Sequence, residues 1–216
     1  MQKVFICVAG NIGCGKTTVA NLIANIFGFQ KFEESVDDNP YLRLFYDDMH
    51  AWSYRLQRYF LFSRAITHEK IVMSSNSGVQ DRSIYEDMEI FAKNQSKTAL
   101  WTPVEYERYK KFCEMLLEEL KPPDLIVYLH ASLPVLRERI RERGREYEAA
   151  LTSDDDPYLA QLQELYEQWI KGFSFAKKLI VNTDDMNLVK NPDDITALVE
   201  AIRAALEKNV PLTTFG

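Results

Sequence analysis

Three glycines, a lysine and a threonine stand near the start of the chain at a spacing that can hold phosphate. Gly10-Asn11-Ile12-Gly13-Cys14-Gly15-Lys16-Thr17 fits the pattern G-x-x-x-x-G-K-[ST]. Glycines carry no Cβ, so the backbone can wrap closely around an anion and turn its amide N–H groups inward. A helix starting there adds the positive end of its dipole. Lys16 supplies a full charge for the outer phosphates, and the Thr17 hydroxyl is a candidate magnesium ligand. The residues expected around the phosphates are Gly10, Asn11, Gly13, Cys14, Gly15, Lys16, Thr17 and Thr18. Cys14 is either a reactive thiol at a helix N-terminus or a small residue that fills the loop.

Such a loop works only between a strand and a helix, and its flanks have those patterns. Val4 to Ala9 is a short apolar run rich in strand formers. After the loop, apolar residues at 19, 22, 23, 26 and 27 have helical spacing, with Gly28 placed as a C-cap. Further on, Gln30 to Glu34 reads as a second strand and Tyr41 to Asp48 as a short helix. Ala51 to about Met73 reads as a long helix, Val79 to Asp81 as a strand and Ile84 to Ala92 as a helix. Glu105 to Leu120 is helical, and Leu125 to Leu129 is a continuous apolar run suited to a strand buried on both faces. Helices over Pro134 to Arg143 and 158–171, a strand from Lys178 to Val181 and a helix from about Asp194 to Leu206 complete the chain.

Strands and helices thus alternate. The expected fold is α/β, a three-layer P-loop NTPase-type arrangement with about five parallel strands flanked by helices. In such sheets ligands bind beyond the carboxyl ends of the strands. Glu34, Asp81 and the phosphate loop all follow strand ends, so they should converge on one rim.

At 216 residues the chain suits a single domain, 1–216, with a small mobile appendage. Hydrophobic residues at 46% and charged ones at 27% belong to the ordinary soluble range. A net charge of −6 argues against a broad nucleic-acid-binding surface. The three cysteines lack metal-ligand spacing, which points to a reduced cytoplasmic protein. No apolar run is long enough to span a membrane.

A phosphate loop alone means only that a nucleotide binds. The Asn-Lys-x-Asp base reader of small GTPases is missing, because Asn182-Thr183-Asp184-Asp185 lacks the lysine, and so is a transporter Ser-Gly-Gly-Gln signature. A kinase for a small acceptor needs a base, arginines for the moving phosphoryl group and an acceptor pocket. Arginines recur at 137, 139, 141, 143 and 145, and these cannot all share one helical face. With glutamates at 138, 142 and 146 among them, a solvated helix face is the competing reading for the group. Arg143-Gly144-Arg145, at a helix end before a polar segment, reads instead as the root of an Arg-rich lid over about 143–157.

These residues together resemble the deoxynucleoside kinases, in particular the bacterial deoxyadenosine/deoxycytidine kinase branch. The resemblance rests on Gly10 to Thr17, Glu33-Glu34-Ser35-Val36 with Asn39-Pro40-Tyr41-Leu42, Tyr46, and Trp52 to Gln57. It continues through Arg64, Asp81-Arg82-Ser83-Ile84-Tyr85-Glu86-Asp87, Arg139, Arg143-Gly144-Arg145 and Glu148. It departs from the family at Ser35, where a proline is usual. Asn39 replaces the aromatic residue of animal relatives.

The resemblance implies roles. Glu34 would be the base for the nucleoside 5′-hydroxyl. Asp81 would help hold magnesium, and Arg82 would orient the 5′-oxygen and the moving phosphoryl group. Tyr46 and Glu148 would hold the sugar 3′-hydroxyl, and Gln57, Arg64, Asp87 and Phe91 the base. Gln57 and Arg64 lie two helical turns apart on one face. A glutamine amide can pair with an amino group and a neighbouring ring nitrogen, and an ionised Asp87 only accepts, so both favour a base bearing an amino group. Arg143 and Arg145, with Arg139, would neutralise phosphate charge. The implied reaction is ATP- and Mg²⁺-dependent phosphorylation of a deoxynucleoside, deoxyadenosine first and deoxycytidine second, by a cytoplasmic homodimer. A thymidylate-type monophosphate kinase and a P-loop switch with no small acceptor are the alternatives.

Overall fold

A computed structural model describes residues 3–33, 39–207 and 212–215. Its centre is β1 (Phe5–Gly10), whose six residues are all buried. The sheet is wholly parallel, with strand order β2-β3-β1-β4-β5-β6. The other strands are β2 (Gln30–Phe32), β3 (Gly78–Asp81), β4 (Leu125–His130), β5 (Lys177–Asn182) and β6 (Leu212–Phe215). β1 and β4 are apolar at every position but the last because helices cover both faces. Phe5, Cys7 and Ala9 join one core with Leu56, Tyr109 and Tyr166. Ile6 and Val8 join the other with Val19, Ile23, Leu198 and Ile202. The two sets alternate along β1, as the two-residue period of a strand requires.

The five expected strands are present, and β6 adds a sixth beside β5. β2 is shorter than expected. It ends at Phe32, pairs with β3 alone among the described residues, and is half-buried to exposed. Glu34, with Ser35 and Val36, lies outside the described residues.

The helices are α1 (Lys16–Phe27), α2 (Leu42–Asp47), α3 (Met49–Met73), α4 (Lys93–Lys97), α5 (Pro103–Glu119), α6 (Leu133–Arg143), α7 (Tyr158–Gly172) and α8 (Pro192–Glu207). α3 begins earlier than its apolar pattern suggests because the Asp48 carboxylate caps it, accepting from the Ala51 N–H at 3.0 Å. α5 likewise starts at Pro103, behind a capping box of Thr102 and Glu105. The helix expected over 84–92 is different in kind: residues Asp87–Ala92 form a π-helical turn that runs into α4. Such widened turns are rare and cluster at functional sites. Between α6 and α7, Gly144 closes α6 at φ 69° and a 3₁₀ helix spans Glu146–Thr152. No helix among the described residues is long and apolar enough to cross a membrane.

Candidate active site

Register determines what meets at the carboxyl rim. Val8 pairs with Asp81 and Gly10 with Leu129, so β1, β3 and β4 end together. Above this rim opens a cavity of about 690 Å³. One end is walled by Ile12 to Thr18, the other by Gln57, Phe60, Arg64 and Phe91, and Arg82 lies on the wall they share.

The loop shape depends on glycine. Gly13 sits at φ +85°, and a Cβ there would stand 2.8 Å from the Leu136 carbonyl oxygen and 2.9 Å from the Ile140 side chain. Gly15, at φ +94°, heads α1 in the left-handed conformation. Lys16 is buried, its Nζ donating to the carbonyls of Gly10 at 2.9 Å and Asn11 at 2.8 Å. Burial, and then the nearby Arg82 guanidinium, hold its pKa below the ordinary lysine value. A polyphosphate would oppose both effects. Gly10 and Asn11 support the loop from behind and do not line the cavity. The Asn11 amide donates to the Leu159 carbonyl and to Gln163, both at 3.1 Å, tying the loop to α7. Cys14 is 1% exposed and fills the loop interior, with Lys16 Nζ 3.7 Å from its sulfur.

Thr17 and Asp81 meet where α1 passes the end of β3: Thr17 Oγ1 donates to Asp81 Oδ2 at 2.5 Å. Two hard oxygens at the mouth of a phosphate cradle fit magnesium, which takes one or two protein oxygens and fills its shell with water and phosphate.

Arg82 is one of two non-glycine residues with positive φ among the described residues, at 69°. Its Nη1 donates to Tyr166 Oη at 2.8 Å and to Glu86 Oε1 at 3.3 Å, and its guanidinium lies 4.9 Å from the Phe91 ring centre.

The arginine series divides by side. Arg139, Arg143 and Arg145 line the cavity. Arg137 pairs instead with Asp154 at 2.5 Å, and Arg141 reaches the Thr152 carbonyl at 3.4 Å. Arg139 donates to Thr183 Oγ1 at 2.9 Å and to its carbonyl at 2.6 Å. Arg143 hydrogen-bonds the buried Glu148 carboxylate, and Arg145 approaches it at 3.6 Å.

At the far end Arg64 and Asp87 form a buried ion pair, and Arg64 also lies 4.5 Å from the Phe60 ring centre. Asp87 stands behind Arg64 and is not on the cavity wall. Gln57 is 2% exposed, and its Oε1 has no hydrogen-bond partner among the described residues. Tyr46 lines the same region. Burial, with Tyr158 and Glu148 nearby, pushes its phenol well above the ordinary range, so it remains a donor.

Other residues of the site have no individual role in the sequence reading. Phe45, Leu56, Phe60 and Tyr158 line the cavity but read as core. The 183–189 loop closes the side beyond Arg139 through Thr183, Met186, Asn187, Leu188 and Val189. Glu86, fully buried, has one sequence cue in its i,i+4 spacing from Arg82. Its partners Gly10 and Tyr166, 76 and 80 residues away, have none.

The deoxynucleoside kinase family profile matches residues 6–207. A deoxyadenosine/deoxycytidine kinase of Bacillus subtilis (strain 168) is 36% identical over 206 residues, covering 94% of each chain. A deoxyguanosine kinase of the same organism is 35% identical over 207 residues, covering 92% of this chain and 96% of its own. A solved structure of deoxyadenosine kinase from M. mycoides with bound dATP superposes with a TM-score of 0.80 at 25% identity. It covers 92% of this chain and 99% of that one.

Proposed function

The chain belongs to the deoxynucleoside kinase family, and on that premise we propose that it phosphorylates deoxyadenosine first and deoxycytidine second, with ATP as donor. The class of reaction is phosphoryl transfer from a nucleotide to the 5′-hydroxyl of a deoxynucleoside. One observation carries the reading. A single cavity has a phosphate cradle at one end, a Gln57, Arg64 and Phe91 wall at the other, and Arg82 between them.

Glu34 takes the proton from the 5′-hydroxyl as its oxygen bonds to the γ-phosphorus, and the bond from that phosphorus to the β-phosphate oxygen breaks to release ADP. Support comes from its neighbour Glu33, which lines the cavity and so brings the end of β2 to the site. Arg82 holds the moving phosphoryl group. Lys16 and the Gly13–Thr18 backbone hold the donor phosphates, with Arg139, Arg143 and Arg145 above. Thr17 and Asp81 hold Mg²⁺, which when bound spreads the charge of the donor phosphates. Tyr46 and Glu148 orient the sugar.

Gln57 is the base reader. Its buried amide oxygen, lacking a partner, suits an amino group on adenine or cytosine, since an unmet buried acceptor costs about 1–3 kcal/mol. Asp87 acts through Arg64. The 184–188 loop borders the donor base.

A homodimer is part of the same proposal. Phe62 and Ile66 on α3 and Phe112 and Met115 on α5 are exposed, and the Phe62 and Phe112 rings touch at 5.8 Å. They form an apolar face suited to a second copy. The three cysteines are free and buried, which suits a cytoplasmic location.

The test is a panel: ATP and Mg²⁺ with each deoxynucleoside and each monophosphate, scored for ADP. The expected order of kcat/KM is deoxyadenosine, then deoxycytidine, then deoxyguanosine. Glu34→Gln should lower kcat by at least ~10²-fold with ATP binding retained. Preference for a monophosphate, or ADP formation indifferent to any nucleoside, would overturn the reading.

A further inference from the structure

We infer that Glu86 is a positioning residue of the transfer reaction, a single buried carboxylate that is itself anchored on the phosphate loop and aligns Arg82. The inference rests on the kinase reading and extends it to a residue that does not touch the cavity.

Glu86 is 0% exposed. Its Oε1 accepts from Gly10 N–H at 3.2 Å, Arg82 Nη1 at 3.3 Å and Tyr166 Oη at 2.7 Å. Its Oε2 accepts from Ser83 N–H at 2.7 Å and Ser83 Oγ at 2.9 Å. A buried ion pair is a poor route to stability, because desolvation offsets the attraction. What this carboxylate provides is geometry. It joins the first glycine of the donor cradle, the arginine proposed to meet the moving phosphoryl group, and α7, which follows the lid.

The backbone supports the same reading. Arg82 sits at φ 69°, a conformation that costs a non-glycine residue about 1–3 kcal/mol and persists where its surroundings over-determine it. Glu86 holds the next residue, Ser83, by both its amide and its hydroxyl. The strained turn is therefore clamped on one side by Glu86 and on the other by the Arg82 N–H bond to Val8 O at 2.9 Å. Tyr166 completes the clamp. Burial keeps its phenol protonated, so it donates to Glu86 while accepting from Arg82. Nη1 is thereby committed to the anchor, while Arg82 still lines the cavity.

Glu86→Gln keeps the shape but replaces one acceptor oxygen with an amide donor, which faces donors already in place. Arg82 must then shift, and a displacement of about 1 Å at a reacting centre can cost on the order of 10²-fold. We expect kcat to fall by ~10- to 10²-fold while the ATP KM changes by less than about 3-fold.

The deciding experiment is a double-mutant cycle with Arg82→Ala, using radiolabelled ATP so that slow variants can be followed. If Glu86 acts through Arg82, Glu86→Gln should change the rate of the Arg82→Ala enzyme by less than about 3-fold. Equal losses in the two backgrounds would make Glu86 a structural residue and overturn the inference. If Glu86→Gln does not fold, Tyr166→Phe takes its place in the same cycle, where a several-fold loss that disappears in Arg82→Ala supports the inference and an undiminished one overturns it. Failure of the kinase reading looks different, since the unsubstituted enzyme would then form no ADP in response to nucleoside.

Discussion

At the scale of single residues, the site is built from side chains and glycines whose surroundings leave little freedom. Gly13 and Gly15 both have positive φ, yet they differ in what a methyl group would meet. At Gly13 it would press on the Leu136 carbonyl and Ile140, whereas at Gly15 no atom of the described residues lies within 4 Å. Gly15→Ala should therefore cost only the backbone strain, about 1–2 kcal/mol, and act mainly through the donor phosphates. Gly13→Ala should cost more than about 2 kcal/mol, because α6 must also move. Urea denaturation followed by circular dichroism, beside ATP titration, separates the two. Equal midpoints for both variants would contradict this account. The glycine pattern was legible in sequence because it encodes a local backbone shape. The Glu86–Tyr166 contact was not, since it joins segments whose proximity is created only by packing α7 over the rim.

At the scale of elements, legibility followed the range of the forces involved. β1 and β4 could be read directly, because burial on both faces forces unbroken apolar runs. β6 could not, because four residues near the end of the chain have no periodicity to read. The π-helical turn at Asp87–Ala92 escaped too, since an α-helix and a π-turn share nearly the same apolar spacing over six residues. α3 was legible but for its first two residues, and Gln57 and Arg64 on it were legible through the resemblance, but its other buried polar residues were not. One of these, His68, is fully buried, with its Nε2 2.7 Å from the Lys121 carbonyl and its ring 4.8 Å from that of Phe5. Burial lowers its pKa from 6.5, while the Lys121 bond opposes the shift. The unfolded chain thus binds a proton that the folded one refuses between the lowered value and 6.5, so stability rises with pH across that window. As pH falls below about 6.5, the resulting loss approaches a slope of 1.4 kcal/mol per unit for one group. His68→Gln keeps a donor for Lys121 and removes the titration. Its melting temperature should fall less than that of the unsubstituted protein between pH 7.5 and 5.5. Parallel curves would show that His68 does not carry the acid sensitivity of α3.

At the scale of the whole molecule, the proposed acceptor and donor ends are linked through the segment 143–157 and α7. Glu148 binds both Arg143 and Arg145 while lying beside Tyr46, proposed to hold the sugar. Tyr147, its neighbour, packs against Tyr46 with ring centres 5.5 Å apart and stands 5.8 Å from the Arg43 guanidinium, so the 3₁₀ helix rests on α2. Beyond it, α7 touches the phosphate loop through Leu159 and Gln163 and reaches Glu86 through Tyr166. Four cationic or aromatic contacts on one side and three hydrogen bonds on the other thus run through one stretch of chain. A sugar hydroxyl that donates to Glu148 competes with the arginines for its oxygens, freeing them toward the donor phosphates. Acceptor binding should accordingly tighten donor binding, and by linkage the reverse must hold to the same degree. Glu148→Gln removes the charge that gathers the arginines. The nucleoside Kd should then weaken by ~10-fold or more, as expected for a lost charged hydrogen bond. The Kd of a non-hydrolysable ATP analogue, measured by calorimetry, should no longer depend on whether nucleoside is present. If the nucleoside still shifts that Kd in Glu148→Gln as it does in the unsubstituted enzyme, the coupling does not pass through Glu148, and the α7 contacts to the phosphate loop must carry it alone.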